Sequence, residues 1–122
     1  MNQQSKWISE ILVAGLDDWV QGFEIVGVAR RAEVVSDEAL RAVWIGLVAE
    51  LLAKNLVEPG QFDGASFVAW AVPMEEAIHR MILDIDRLHI GEIGLGDVVW
   101  LRLTDAGRAA GEAALATGEF DW

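Results

Sequence analysis

Trp7, Ile8, Ile11, Leu12 and Leu16 recur at helical spacing and predict a first helix from about Ser5 to Leu16. Asp17 or Asp18 is placed to cap a second helix, with Trp19, Val20, Phe23 and Val26 as its apolar face. Arg30 and Arg31 end it with positive charge, where the helix dipole favours cations. A short connection follows. Ser36 then makes a good N-cap, with Asp37 and Glu38 in the first turn. Leu40, Val43, Trp44, Leu47, Val48, Leu51 and Leu52 form a long helical stripe that stops near Asn55, a residue tolerant of left-handed backbone.

Beyond Asn55 the pattern changes. Pro59-Gly60 predicts a turn. Ser66 to Val72 alternates and predicts a strand or extended arm. Pro73 suits the first position of another helix, with Glu75 and Glu76 favoured in its first turn. Met74, Ala77, Ile78, Met81, Ile82, Ile85 and Leu88 form its apolar face, and Glu76, Arg80 and Asp84 form an ion-pair ladder on the other. The Gly-rich segment from Ile90 to Asp97 is a loop, Asp97 to Leu103 a strand, and Thr104 the cap of a last helix that runs to about Thr117. These elements predict an α+β domain of about five helices with a small antiparallel sheet. Its sheet should pair the segment near Leu56 with Val98 to Leu103.

Two segments resemble winged helix-turn-helix domains. Asn55-Leu56-Val57-Glu58 follows a Leu-rich helix end as in the winged-helix family, with Asn in place of the usual Gly. Leu103, Thr104 and Gly107 are similar to the Leu-Thr-x-x-Gly junction after the family's last wing strand. Physically, Thr104 supplies a hydroxyl cap, and Gly107 lets the helix pack closely on a neighbour. The likeness covers Trp19 to Val57 and Val98 to Gly111. It implies a single winged-helix-like domain over residues 1–122, with residues 118–122 as an acidic-aromatic tail. The segment between the two matches holds a whole helix where the family has a short hairpin, so the wing is enlarged. The chain also resembles small acidic bacterial proteins, some from toxin-immunity gene neighbourhoods.

The length of 122 residues suits one domain, and 53% hydrophobic residues with six Trp support a packed core. Without Cys there is no disulfide framework and no thiol chemistry, which fits a reducing cytoplasm. The N-terminus lacks the apolar run of a signal peptide. Arg41, Glu50 and Lys54 interrupt the most apolar window, which argues against a membrane span. Twenty acids oppose nine bases, for a net charge of -11. This balance repels nucleic acid and anionic membranes and favours basic partners.

Charge therefore opposes the DNA binding that the resemblance implies. A winged-helix transcriptional regulator would rely on Arg30, Arg31, Arg41 and Lys54 for phosphate contacts. Yet Asn55 to His79 carries no Lys or Arg and holds Glu58, Asp63, Glu75 and Glu76. Glu75 with His79, and Asp86 with His89, have chelating spacing, but two His in the whole chain complete no metal site. No nucleophile motif and no phosphate-binding loop is present, so no enzyme activity and no cofactor is expected. Trp7, Trp19, Trp44, Trp70 and Trp100 lie on apolar faces and read as core. Ile45, Ala49, Ala53 and Leu83 lie outside the main stripes and offer a homodimer contact, or simply a broad buried face. The expectation is a non-enzymatic acidic protein-binding module, an immunity-type inhibitor or a regulatory adaptor, that engages a basic protein. Its charged rim would be Glu58, Asp63, Glu75 and Glu76, with Phe120 and Trp122 as aromatic anchors.

Overall fold

The computed structural model describes residues 3–31, 33–34, 36–94 and 97–118. They form α1 (Gln3–Gly15), β1 (Val20–Gln21), α2 (Gly22–Arg31), α3 (Asp37–Ala53), β2 (Val57–Phe62), β3 (Phe67–Ala69), α4 (Met74–Leu88), a 3-10 turn (Ile90–Glu92), β4 (Trp100–Leu103) and α5 (Asp105–Ala116). Among the described residues the architecture is thus α+β, with five α-helices and one four-stranded antiparallel sheet in the order β1-β4-β2-β3. The predicted pairing is present: Val57 lies opposite Leu103 and Pro59 opposite Leu101. No helix among the described residues is long and apolar enough to cross a membrane.

The central helix α3 follows its sequence signals closely. The Ser36 hydroxyl accepts the Ala39 amide at 3.2 Å, and Asp37 and Glu38 sit at the positive end of the helix dipole. At the other end Asn55 adopts φ 55°. The amides of Asn55 and Leu56 turn back to the carbonyls of Leu52 and Leu51 at 3.0 and 2.9 Å, which satisfies groups a helix end otherwise leaves unpaired. Leu40, Trp44, Leu47, Val48 and Leu51 are buried. The Trp44 indole donates to the Gly22 carbonyl at 2.9 Å, which ties α3 to the start of α2 inside the core.

The start of α2 differs from expectation. Val20 and Gln21 are not helical, because they pair with Leu101 and Trp100 of β4. The helix begins only at Gly22, and the Glu24 carboxylate reaches back to accept the Gln21 amide at 2.5 Å. Asp17 and Asp18 therefore cap nothing here, and Trp19 lies on the approach to a strand. Asp18 accepts the Trp19 amide instead, at 2.7 Å.

Pro59-Gly60 is likewise no turn but part of β2. The Pro59 carbonyl accepts the Trp70 amide at 2.9 Å. With no N–H to return, the proline ends the β2–β3 ladder at that point. Gly60 is required because the Val68 backbone carbonyl and the Phe67 ring close over it: a Cβ there would sit 2.4 Å from the carbonyl oxygen and 2.6 Å from the ring. The real turn is at Asp63 to Ser66. There the Asp63 carboxylate accepts the amides of Ala65 and Ser66 at 2.9 and 2.8 Å, and Gly64 takes φ 97°.

The β4–α5 junction is built as the residues predicted. The Thr104 hydroxyl accepts the Gly107 amide at 3.0 Å and donates to the Asn55 carbonyl at 2.6 Å. One side chain thus caps α5 and fastens it to the end of α3. Thr104→Ala is expected to lower stability by about 1–2 kcal/mol, and Thr104→Ser to stay near wild type, in urea denaturation.

On α4, Ala77, Met81 and Ile85 are buried as expected, but Met74 is exposed. The predicted ladder of Glu76, Arg80 and Asp84 does not form as drawn. Arg80 reaches Gln61 at 3.3 Å and stacks 4.0 Å over the Trp70 ring, while Asp84 pairs with Arg87 at 3.6 Å.

Candidate functional site

Alternation along β4 divides the sheet into two faces. Leu101 and Leu103 are buried against the helices, while Trp100 and Arg102 point the other way, Trp100 part-exposed and Arg102 exposed. Cross-strand pairing adds Glu58 and Gly60 of β2 to this outer face, and Phe62 with Phe67 beyond them. Trp19 completes the group. Its ring centroid lies 5.7 Å from Phe62, 5.6 Å from Phe67 and 5.9 Å from Trp100, and Phe62 is 5.7 Å from Trp100. Tilted and edge-on pairs at these separations attract one another. Phe62 nevertheless remains 44% exposed.

Two of the five tryptophans expected in the core, Trp19 and Trp100, therefore lie in this outer cluster. Trp44 is wholly buried, and Trp7 and Trp70 pack partly against the core. The Trp-Leu-Arg-Leu alternation of β4 carried the signal for Trp100. For Phe62 and Phe67 it is their symmetric placement on either side of Asp63 to Ser66, which the turn preference of Pro59-Gly60 obscures.

Charge flanks the cluster. Arg102 lies 4.5 Å over the Phe67 ring and 3.3 Å from the Glu58 carboxylate. This seats one guanidinium between a ring face and an acid. Asp17, Asp18, Trp19, Arg102 and Arg108 line an adjoining cleft of about 260 Å³.

The four acids expected to form one rim are split between two places. Glu58 lies on the outer face, and Asp63 at the hairpin turn beside Phe62. Glu75 and Glu76 are exposed in the first turn of α4, the helix that meets Gln61 on the opposite face of β2. Phe120 and Trp122 lie outside the described residues.

Three of the four cations expected for DNA contact are engaged in acid pairs. Arg31 meets Glu10 at 3.3 Å, Arg41 meets Asp86 at 2.8 Å, and Lys54 meets Glu50 at 2.9 Å. Arg30 is engaged as well. Arg41 and Lys54 stand at opposite ends of α3, about 20 Å apart by helix rise.

Asp86 and His89 of the chelating pairs line one cleft with Asp37, Glu38 and Arg41. Asp86 faces Arg41 through both carboxylate oxygens, and among the described residues no three His, Asp or Glu are grouped so as to hold a metal ion. Of the proposed dimer contacts, Ile45 packs partly on the core, Ala53 is exposed, and Leu83 is 56% exposed.

Two carboxyls titrate below the usual range. The Ser66 and Ala65 amides hold Asp63 low, and the Arg41 side-chain hydrogen bonds hold Asp86 low. Their folded values lie under the unfolded value of about 3.9, so their contribution is complete above about pH 4 and is lost as pH falls further. Both groups are exposed, so the loss is small. Urea midpoints measured between pH 5 and pH 2.5 should fall less steeply for Asp86→Asn than for wild type.

Comparison of the chain with protein-family models, curated proteins and solved structures finds no match.

Proposed function

We propose that this chain is a non-enzymatic protein-binding module that engages a basic protein, as an immunity-type inhibitor or a regulatory adaptor. The observation that carries the reading is an uncovered sheet face with four clustered aromatics, flanked by acids, in a chain of net charge -11. Large aromatics left in water contribute little to folding and much to association. Opposite fields speed encounter with a basic partner and suppress wrong ones.

We read the scaffold as winged-helix-like. In support, α2 and α3 lead into the antiparallel β2–β4 pair, in the order of a helix-turn-helix unit and its wing. β3 and α4, inserted between those strands, are the enlargement. That order also favours a second reading, a DNA-binding regulator. Against it stand the acid pairs of Arg31, Arg41 and Lys54.

Affinity capture from the native host at low and raised salt tests the main reading. A basic protein that is released by salt supports it, and recovery of the chain alone contradicts it. For the second reading, a mobility shift with duplex DNA at about 50 mM salt is the test, because electrostatic binding is strong there. We expect no shift, and a shift abolished by Arg41→Ala with Lys54→Ala would favour the regulator.

A further inference from the structure

We infer that the outer sheet face is the docking surface, and that its occupant is an arginine-bearing segment of the basic partner, seated on Trp19, Phe62, Phe67 and Trp100. The inference rests on the basic-partner reading above and adds the surface and the chemistry that the surface takes. Three observations select this occupant.

First, the charged groups around the cluster favour a cation. Asp17, Asp18, Glu58 and Asp63 stand on or beside it, against Arg102 and Arg108. A second copy of an acidic chain, or a nucleic acid, would bring like charge to the same place.

Second, the face already holds a guanidinium. Arg102 stacks on Phe67 while it pairs with Glu58. Ring faces and a carboxylate are the two features a planar guanidinium recognises, and an ammonium uses them less well. Arg102 stacks on Phe67; of the other three rings, Phe62 is exposed and Trp19 and Trp100 are part-exposed, and these complete the surface offered to a ligand.

Third, the other two acids of the expected rim stand apart from this cluster. Glu75 and Glu76 lie on α4, on the other side of the hairpin, and the one cation–π contact on that side is internal, Arg80 over Trp70.

Titration calorimetry with an eight-residue arginine peptide at about 150 mM salt tests this, with an eight-residue lysine peptide beside it. The variants are Phe62→Ser, which alters an exposed ring, and the remote double Glu75→Lys/Glu76→Lys. Circular dichroism checks that each is folded. We expect the arginine peptide to bind wild type at least threefold more tightly than the lysine peptide. Phe62→Ser should weaken it about tenfold and the double variant less than threefold.

Equal affinity for the two peptides would overturn the guanidinium assignment. A double variant weakened as much as Phe62→Ser, or more, would overturn the surface while leaving the basic-partner reading intact. No binding of either peptide to wild type, with no salt-sensitive basic protein captured, would overturn both. Sedimentation of the free protein decides the remaining occupant: a wild-type dimer that Phe62→Ser returns to monomer would make the face a self-interface and the inference wrong.

Discussion

Gly107→Ala is expected to destabilise the domain by about 3 kcal/mol or more, against the usual sign for this substitution in a helix. Alanine ordinarily gains about 1 kcal/mol over glycine in a helix interior. Here a Cβ on Gly107 would lie 1.9 Å from the Leu56 carbonyl oxygen, a contact that only backbone movement can relieve. That movement would also strain the Thr104 hydroxyl bonds, which join α5 to Asn55 across the same junction. Gly46 is the internal control. It lies within α3, where an added Cβ meets nothing within 4 Å, so Gly46→Ala should be neutral or gain about 0.5–1 kcal/mol. Urea midpoints moving in opposite directions for these two substitutions would verify the packing of α5. A neutral Gly107→Ala would contradict it.

Trp44→Ala is expected to cost about 3–5 kcal/mol, a large share of the roughly 5–15 kcal/mol that holds such a domain folded. Trp44 is 1% exposed and lies in the main core cluster with Leu40, Leu47 and Leu51. Its removal leaves a cavity and also deletes the buried hydrogen bond from the indole N–H to the Gly22 carbonyl. Trp44→Phe keeps most of the volume but loses that hydrogen bond. It should cost about 1–3 kcal/mol, and the difference between the two variants separates packing from the polar contact. By contrast, Trp100→Ala removes a ring from the outer cluster and should leave the urea midpoint much closer to wild type.

How far the fold was legible depended on how much local signal each element carries. The long helix α3 was marked at both ends, by Ser36 and Asn55, and by a stripe that repeats over several turns. The β4–α5 junction was equally legible, since Thr104 and Gly107 act within a few residues of each other. β1 was not, because a two-residue strand has no periodicity and exists only through its pairing with β4. Trp19 precedes that strand, so its place in the aromatic cluster also depends on the β1–β4 pairing and leaves no local pattern in the sequence. Pro59-Gly60 misled for a related reason. The local preference of that dipeptide for a turn yields here to pairing with β4 on one side and to the Phe67 ring on the other.

The candidate site was legible in its charge and not in its shape. Net acidity pointed to a basic partner. The grouping of Glu58 and Asp63 with four aromatics, and their separation from Glu75 and Glu76, came only from the sheet register. The cations Arg31, Arg41 and Lys54 looked available in sequence because two of their partners are remote in the chain. Glu10 lies on α1 and Asp86 on α4. Lys54 with Glu50 is the one pair that helical spacing alone would have revealed.

Tryptophan side chains report directly on whether the proposed partner docks on the outer sheet face. The chain has six Trp, each with one indole N–H signal in a nitrogen-proton correlation spectrum, which single Trp→Phe variants assign. During titration with the eight-residue arginine peptide, the signals of Trp19 and Trp100 should shift progressively, while the buried Trp44 stays in place. Shifts confined to Trp7, Trp70 or Trp122, with Trp19 and Trp100 unmoved at saturation, would contradict the account.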